Sequence, residues 1–322
     1  MASETITKIR TWLAVALLTL FMPTILFISV LIYLYHNFVK SKVRKDFAGE
    51  VAVVTGAAGG LGKCIAVELA AKGCHVAICD INFDLAVTTA KEIADKYGVK
   101  AKAYKVDVTK YDEIVGLNTQ LTNDIGTATI LVNNAGLLLH SDQLNATVQE
   151  IEAMIKVNYM SHFWTNRVFL QNMKQAKRGH IVAISSASGL LTLPRSEPYC
   201  SAKTAVCTLM RCLRAELRLD GITGIDTTTV FPAFLQTHAR VKKLAQDSGY
   251  TDIYPMMEGE EVAQRIVRGM QRGEVEIALP GFFMILYRFV TVLPSCVKDW
   301  LFFSPSIANF ALKGAKAALK NQ

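Results

Sequence analysis

The 322-residue sequence lacks the cysteine spacing of a metal or redox site, since none of its seven cysteines forms a Cys-x-x-Cys pair. Most of them lie in apolar runs with the pattern of buried strands or helices. They are Cys64, Cys74, Cys79, Cys200, Cys207, Cys212 and Cys296. Buried thiols of this kind are usually reduced and structural. The sequence therefore predicts no metal site and no disulfide framework, and it favours a domain that faces the cytosol.

Internal repeats, low-complexity tracts and nucleic-acid-binding motifs are also missing. The formal net charge is +8, but the basic residues are scattered apart from clusters at 40–45 and 313–320. A positive charge without a motif does not predict a nucleic-acid partner. The first cluster directly follows a long apolar segment, which explains it better.

That apolar segment covers residues 12–35 and contains no charged residue. Its twenty-four residues are enough to cross a hydrocarbon core about 30 Å thick as a helix. The segment is too long for an ordinary signal peptide and lacks a small-residue cleavage site. We predict a retained membrane anchor, preceded by a tail over 1–11 and followed by a basic linker over 36–48. A buried helix of a soluble protein is the alternative, but such a helix would carry a polar face.

The flanking charges predict the orientation of this anchor. Four basic residues follow it within 40–45, whereas Lys8 and Arg10 precede it. The positive-inside rule then places the larger, C-terminal part in the cytosol. Pro23 is compatible with a kinked spanning helix and with a hairpin that enters and leaves one leaflet.

Short apolar runs alternate with helical-length segments in the rest of the chain. The predicted strands cover 51–55, 75–80, 101–107, 128–134, 180–185, 224–230 and 275–279. The predicted helices cover 61–72, 84–97, 110–124, 149–175, 198–219 and 259–272. Strict alternation predicts an α/β fold with a doubly wound parallel sheet of Rossmann type over 49–280.

The C-terminal segment over 281–322 begins with a second apolar stretch. Charged residues and Pro294 interrupt this stretch over 281–303, so a clean membrane span is not expected. An interfacial element and an ordinary core helix both fit it. The basic tail is typical of a short helix in solvent or on a membrane surface.

The turn TGAAGGLG over 55–62 follows the first strand and contains Gly56, Gly60, Leu61 and Gly62. At this turn of an open α/β sheet, the backbone and the helix N-terminus approach the phosphates of a ligand. The spacing differs from the better-known GxGxxG, so a purely structural turn is the alternative.

Asp80 ends the second predicted strand, eighteen residues after Gly62. A carboxylate there accepts hydrogen bonds from the ribose of NAD and repels the additional phosphate of NADP. Because Ile81 and Asn82 follow, no basic residue offsets it, and we predict NAD as the cofactor. An exposed helix N-cap is the alternative role for Asp80.

The stretch YCSAK places Tyr199 and Lys203 four residues apart on one helix face, after Ser186 at the end of the fifth strand. A nearby ammonium and a positive nicotinamide would lower the pKa of a phenol, which is about 10 in water. Tyr199 would then move an alcohol proton while hydride goes to the cofactor. Ser186 is placed to hold the same substrate oxygen.

These motifs, with NNAG over 133–136 and Asn158, resemble the short-chain dehydrogenase/reductase family across residues 49–240. The resemblance implies that Tyr199 is the catalytic acid/base and that Lys203 lowers its pKa and binds the nicotinamide ribose. It also implies that Ser186 orients the substrate oxygen, and that Asn158 holds a water linking Lys203 to solvent.

The resemblance implies further cofactor contacts. Asp107 would contact the adenine, and Thr237 would contact the carboxamide. The sheet and the adenosine side of the cofactor site would be supported by Asn133, Ala135 and Gly136. One departure is Ala233 after Pro232, where the family usually has glycine.

The anchor, DIN over 80–82, HFW over 162–164 and the apolar 281–303 resemble one membrane-bound branch of that family. This branch contains microsomal retinol dehydrogenases and 17-beta-hydroxysteroid dehydrogenases of endoplasmic reticulum and lipid droplets. The resemblance implies a lipophilic alcohol as substrate at such a membrane, and a homodimer. Oxidation of this alcohol is expected from the NAD preference that Asp80 predicts and from an oxidised cytosolic NAD pool. It leaves retinoid, steroid and fatty alcohol open.

Two other interpretations remain. A lipid-droplet or reticulum scaffold with a vestigial dehydrogenase fold is less compatible with the complete set of four catalytic residues. A lumenal protein would explain the glycosylation sequence at Asn145, although such sequences also occur by chance.

Overall fold

The computed structural model describes residues 2–35, 45–139, 146–191, 196–236, 245 and 256–303. The chain divides into two compact units, Met1–Arg44 and Lys45–Gln322. Thr237, Asn145, the basic residues 40–44 and the tail 304–322 lie outside the described residues.

The first unit is built on helix α1, Ala2–Leu34, which contains Pro23. In the described part of the chain, no single helix is both long and apolar enough to cross a membrane. Its halves Thr5–Leu17 and Thr19–Ile32 meet the length and composition criteria together, but they are bent by 43°. The bend lies just before Pro23, whose ring removes a backbone hydrogen bond and clashes with the carbonyl four residues earlier.

The second unit contains a seven-stranded sheet in the order β3-β2-β1-β4-β5-β6-β7, and every pairing is parallel. The strands are β1 Val51–Thr55, β2 His75–Asp80, β3 Ala101–Lys105, β4 Ile130–Asn133, β5 Gly179–Ile184, β6 Ile225–Pro232 and β7 Glu276–Leu279. This confirms the predicted strands. The order reverses between β1 and β4, which creates a crevice at the carboxyl ends of these strands.

Helices cover both faces of the sheet, as predicted. They are α2 Gly60–Ala71, α3 Phe83–Tyr97, α4 Tyr111–Asp124, α5 Val148–Ile155, α6 Ser161–Ala176, α7 Glu197–Leu219, α8 Gly259–Gln271, α9 Phe282–Thr291 and α10 Ser295–Phe303. Helices α2, α3 and α8 pack on one face, and α4, α6 and α7 pack on the other. The central strands read as continuous apolar runs because both of their faces are buried.

The helix predicted over 149–175 is present, but it is not α-helical throughout. Between α5 and α6 the chain forms a π-helical turn, Lys156–Met160. The Ser161 hydroxyl donates a hydrogen bond of 2.6 Å to the Val157 carbonyl oxygen in this widened turn. Such turns are common at functional sites, and this one contains Asn158.

The start of the second unit also differs from the expected linker over 36–48. The Lys45 amide donates to the Gln271 carbonyl oxygen at 2.9 Å, and Phe47 is buried. These residues are therefore part of the folded unit. All seven cysteines are described and all are free thiols, as predicted.

Candidate active site

The glycine turn after β1 is shaped by its own close packing. Gly56 and Gly60 have φ of +63° and +57°, which L side chains rarely adopt. A Cβ on Gly56 would lie 2.8 Å from the Ala135 Cα. A Cβ on Gly62 would lie 2.3 Å from the Gly56 carbonyl oxygen and 2.5 Å from the Asn134 Nδ2. The structural explanation for these glycines therefore holds, whether or not a ligand also approaches them.

Asn134 fastens this turn to the end of β4, a role that the sequence analysis missed. Its Nδ2 donates to the carbonyl oxygens of Thr55 at 2.9 Å and Gly56 at 3.0 Å. The Thr55 hydroxyl oxygen accepts from the amides of Asn134 and Ala135, both at 3.0 Å. A second asparagine directly after the strand was the available signal, because its side chain faces the opposite way from the first.

Asn133 points into the fold instead of towards the crevice. Its Nδ2 donates to Asn166 Oδ1 at 2.9 Å, and its Oδ1 accepts from the Thr165 hydroxyl at 2.7 Å. The side chain is buried and tied to α6. Asn133 thus supports the sheet, and the contact with adenosine remains a prediction for Ala135 and Gly136.

Asp80 lies at the carboxyl end of β2, directly beside the glycine turn. Its carboxylate accepts hydrogen bonds from the amides of Ala58 and Asn82, each at 3.0 Å. Asn82, not Asp80, caps α3, since its side chain accepts from the Leu85 amide. The N-cap role considered for Asp80 is therefore wrong.

The N-terminus of α2 adjoins Asp80 and carries no side-chain cap and no acidic residue in its first turn. A helix end of this kind presents backbone amides and a positive dipole end to an anion. Leu61 and Gly62 lie in this first turn and are buried against the sheet.

Asp107 follows β3 and is held by local contacts. Its Oδ1 accepts from the Thr109 amide at 2.9 Å and from the Thr109 hydroxyl at 2.7 Å. Partial burial tends to raise the pKa of Asp107, but the Thr109 hydrogen bonds and the Lys110 charge lower the pKa below its ordinary value. The carboxylate is thus charged, and no described hydrogen bond joins it to the other predicted site residues.

Tyr199, Lys203 and Ser186 meet at the carboxyl end of β5. Tyr199 and Lys203 lie in the first two turns of α7, with the Lys203 Nζ 5.7 Å from the centre of the Tyr199 ring. The Ser186 and Tyr199 side chains are hydrogen-bonded. Lys203 is 3% exposed, and its Nζ donates to the Ile184 carbonyl oxygen at 2.9 Å.

Asn158 is fully buried beside this group. Its Nδ2 donates to the Leu137 carbonyl oxygen at 2.7 Å, and its Oδ1 accepts from the Leu137 amide at 3.1 Å. A Cβ on Gly136 would lie 3.2 Å from the Asn158 Oδ1 and 3.7 Å from the Lys203 Nζ. The structure therefore brings Asn158, Gly136 and Lys203 together, but it uses the Asn158 side chain to hold the loop after β4.

The pKa of Tyr199 is raised to about 12, because burial outweighs the hydrogen bond with Ser186. The pKa of Lys203 is lowered to about 8 by burial. Without the nicotinamide, burial therefore governs the pKa of the Tyr199 phenol, and its lowering by the lysine and the nicotinamide together stays a prediction. The Lys203 ammonium donates to the Ile184 carbonyl oxygen, and burial disfavours its charged form.

A scan against protein-family models matches residues 50–248 to the short chain dehydrogenase family. The chain belongs to this family. Membership confirms the predicted class of enzyme, an oxidoreductase of the short-chain dehydrogenase type.

Curated members of the family include human 17-beta-hydroxysteroid dehydrogenase 13, which is 32% identical over 94% of this chain and 100% of its own length. Rat estradiol 17-beta-dehydrogenase 11 is 31% identical over 84% of this chain and 90% of its own length. A short chain dehydrogenase from Burkholderia phymatum, solved in complex with NAD, has a TM-score of 0.69 and 22% identity over 77% of this chain and 94% of its own. At that identity the solved structure shows a shared fold.

Two residues near the end of β6 complete the family motifs. Thr237 lies outside the described residues, so its contact with the cofactor stays a prediction. Ala233 donates its amide to the Leu279 carbonyl oxygen at 2.8 Å. Among the described non-glycine residues only Lys177 has a positive φ, so the backbone at Ala233 does not require the glycine that the family usually has there.

Proposed function

We propose that this dehydrogenase uses NAD to oxidise the hydroxyl group of a lipophilic alcohol, most specifically a 17-beta-hydroxysteroid or retinol, at a membrane. The observation that carries the proposal is an apolar cluster beside the catalytic residues. Its buried members are Leu190, Cys207 and Phe231. Leu191, Met284 and Tyr287 pack against them.

This cluster adjoins the catalytic helix directly. Cys207 lies one turn after Lys203, and its Sγ is 3.1 Å from the Lys203 carbonyl oxygen and 3.3 Å from the Ser185 hydroxyl. Leu190 ends the short 3-10 turn that begins after Ser186. An apolar substrate body packed against this cluster would have its hydroxyl close to Ser186 and Tyr199.

Helix α9 covers the cluster and turns its other face outwards. Arg211 on α7 fixes α9, since it is hydrogen-bonded to Tyr287 and lies 3.2 Å from the Glu276 carboxylate. On the outer face, Ile285 is 73% exposed and Val292, just after α9, is 78% exposed. An apolar face of this kind suits contact with lipid, from which a lipophilic alcohol would enter.

The residues around the glycine turn fit NAD. The uncapped amides at the start of α2 would hold the pyrophosphate, and the Asp80 carboxylate would accept from the ribose hydroxyls. Lys203 would bind the nicotinamide ribose. NAD, when bound, accepts the hydride from the carbon that bears the hydroxyl group.

Within this site, Tyr199 as phenolate takes the proton of the substrate hydroxyl, and Ser186 holds the substrate oxygen. A pKa of about 12 makes the phenolate scarce at neutral pH in the chain alone. Alcohol oxidation should therefore become faster as the pH rises from 7 towards 10. A rate that is constant over this range would mean either that bound NAD lowers the pKa of Tyr199 below this range or that another group is the base.

We also propose that α1 anchors the protein in the endoplasmic reticulum membrane or on lipid droplets, with the dehydrogenase unit in the cytosol. The described side chains of α1 from Trp12 onwards are apolar and exposed around the helix, with few hydroxyl groups among them. A bend of 43° favours a kinked span over a hairpin, because a hairpin needs antiparallel halves.

The test uses membranes that carry the full chain, incubated with all-trans-retinol, estradiol or a long-chain alcohol, each with NAD or NADP. Product analysis should show NAD-dependent oxidation of the steroid or the retinoid, and none with Tyr199→Phe. A preference for NADP would overturn the cofactor assignment. Product from the long-chain alcohol alone would redirect the substrate assignment. No product from any of them, with normal membrane targeting, would favour first a different substrate and second the scaffold interpretation.

A further inference from the structure

His162 is a buried titratable residue that the reaction described above does not use. It is 1% exposed and lies on α6, four residues after Asn158. Neither its Nδ1 nor its Nε2 has a hydrogen-bond partner among the described residues. A leucine of similar volume would avoid the cost of burying two nitrogens that lack hydrogen bonds.

The next turn of the same helix face shows the same deficit. Asn166 lies four residues after His162, and its Nδ2 is also buried without a partner in the described part of the chain. Its Oδ1, in contrast, accepts from Asn133. Buried polar groups that the protein leaves unpaired are commonly satisfied by internal water.

The Lys203 ammonium is the charge that influences the pKa of His162. Burial and, to a smaller extent, the Lys203 charge together lower the pKa of His162 to about 3. The imidazole is therefore neutral, with one donor and one acceptor nitrogen. The Lys203 ammonium has three donors, and one of them is used by the Ile184 carbonyl oxygen.

We propose that His162 is a positioning residue that, through an internal water, supplies a further hydrogen-bond acceptor for the Lys203 ammonium. The ammonium donates to the water oxygen, and the water donates to the unprotonated nitrogen of the imidazole. The Asn158 side chain does not fill this role, because its amide is engaged with the backbone of Leu137. No proton is transferred in this arrangement. The hydrogen bonds hold the Lys203 Nζ beside Tyr199 while the phenol titrates.

This role rests on the proposed alcohol oxidation, and two variants separate it from a structural one. In His162→Leu, kcat should fall about tenfold, as expected for one lost hydrogen bond in the site. The KM for the alcohol should change less than about twofold. The Tm should change little, because leucine has a similar volume and the lost hydrogen bond to water is offset by removal of the ring nitrogen that has no partner. His162→Gln, which keeps an acceptor, should recover most of kcat.

The matched control is His180→Leu at the opposite end of the sheet. His180 is equally buried, but its Nε2 is hydrogen-bonded to the Thr228 hydroxyl at 2.8 Å. This variant should lower Tm and leave kcat unchanged. A wild-type kcat in His162→Leu would overturn the proposal, and so would a joint loss of Tm and kcat that His162→Gln does not reverse.

A measurement without substrate distinguishes this proposal from a wrong choice of alcohol. In the full chain, labelled with 15N-histidine and solubilised in detergent, the resonance absent from His162→Leu identifies His162. Its nitrogens should have shifts of a neutral, hydrogen-bonded imidazole and a magnetisation-transfer peak from water. Shifts of an imidazole without hydrogen bonds, and no water peak, would overturn the proposal even if the enzyme is active.

Discussion

The two ends of the parallel sheet treat buried polar groups differently. At the amino ends of the strands, polar groups pair with one another across elements. Glu50 accepts from the Thr129 hydroxyl and lies 3.2 Å from the Arg178 guanidinium. His180 pairs with Thr228 through its Nε2, although its Nδ1 has no partner among the described residues.

At the carboxyl ends, polar groups are buried with part of their hydrogen-bonding capacity unused. Among the described residues, neither the His162 ring nor the Ser188 hydroxyl has a hydrogen-bond partner. The Lys203 Nζ donates one hydrogen bond, to the Ile184 carbonyl oxygen. The pKa of Tyr199 and the pKa of Lys203 are both moved by burial towards the neutral forms.

The difference shows where this fold accepts a cost in stability. Unpaired buried groups destabilise a protein, and they cluster at sites that need them for ligands or for catalysis. We therefore predict that the carboxyl end is the functional end and the amino end a structural one. Matched substitutions at the two ends test this division.

The largest effect is expected from removing one hydroxyl group in the candidate site and one outside it. Tyr199→Phe should lower kcat at least about a thousandfold, because the acid/base is lost, with little change in Tm. Tyr104→Phe removes a 3.0 Å hydrogen bond to the Asp124 carboxylate. It should cost about 1 kcal/mol of stability and leave kcat unchanged. Steady-state kinetics and thermal melts measure both, and a similar kcat loss in the two variants would contradict the division.

A methyl group added to two glycines should separate packing from backbone strain. In Gly62→Ala the new Cβ would lie 2.3 Å from the Gly56 carbonyl oxygen, so we expect a loss of about 2 to 3 kcal/mol. Gly98→Ala has open space but a φ of +66°, and should cost about 1 kcal/mol. Urea unfolding of both variants checks this. Equal losses would mean that the glycine turn relaxes more easily than its contacts indicate.

Of two carboxylates, one at each end of the sheet, only the one at the carboxyl end should affect cofactor binding when it is removed. Asp80→Ala should raise the KM for NAD about tenfold and narrow the preference over NADP, since the ribose acceptor and its charge are lost. Asp226→Ala breaks an exposed ion pair with Lys45. It should change neither the KM for NAD nor the cofactor preference, and it should cost less than about 1 kcal/mol of stability. An unchanged cofactor preference in Asp80→Ala would remove Asp80 from the cofactor site.

The smallest effect concerns pH, and here the two ends should agree. Burial lowers the pKa of His162 to about 3 and the pKa of His180 to about 4, below the ordinary value of 6.5. The unfolded chain then binds more protons than the folded one between these values, so stability falls as the pH drops below 6.5. Each histidine should contribute about 1 kcal/mol of this loss between pH 6.5 and 5.5.

Urea unfolding at these two pH values should show a smaller loss in His162→Leu and in His180→Leu than in the wild type. An unchanged pH dependence in either variant would show that the histidine concerned is already protonated or exposed in the folded state.

Much of the architecture was predictable from the sequence, because each central strand is a continuous apolar run between helices of ordinary length. The seven strands and the doubly wound order follow from that alternation. The break at Lys156–Met160 was not predictable, since a π-helical turn keeps the apolar pattern of a helix and adds a residue to one turn.

The candidate site was predictable in its membership but less so in its contacts. The motifs placed Ser186, Tyr199 and Lys203 together, and the structure joins them. The motifs did not show that Asn134 closes the glycine turn, or that Asn133 faces away from it.

The sequence by itself determined the family, the parallel sheet and the residues proposed to move a proton, because these depend on residue type and order along the chain. The tertiary structure alone decided their ionisation and their partners. Burial raises the pKa of Tyr199 and leaves His162 neutral, and burial is set by the elements that pack around a side chain. Desolvation depends on neighbours that are far apart in sequence, so no local motif encodes it.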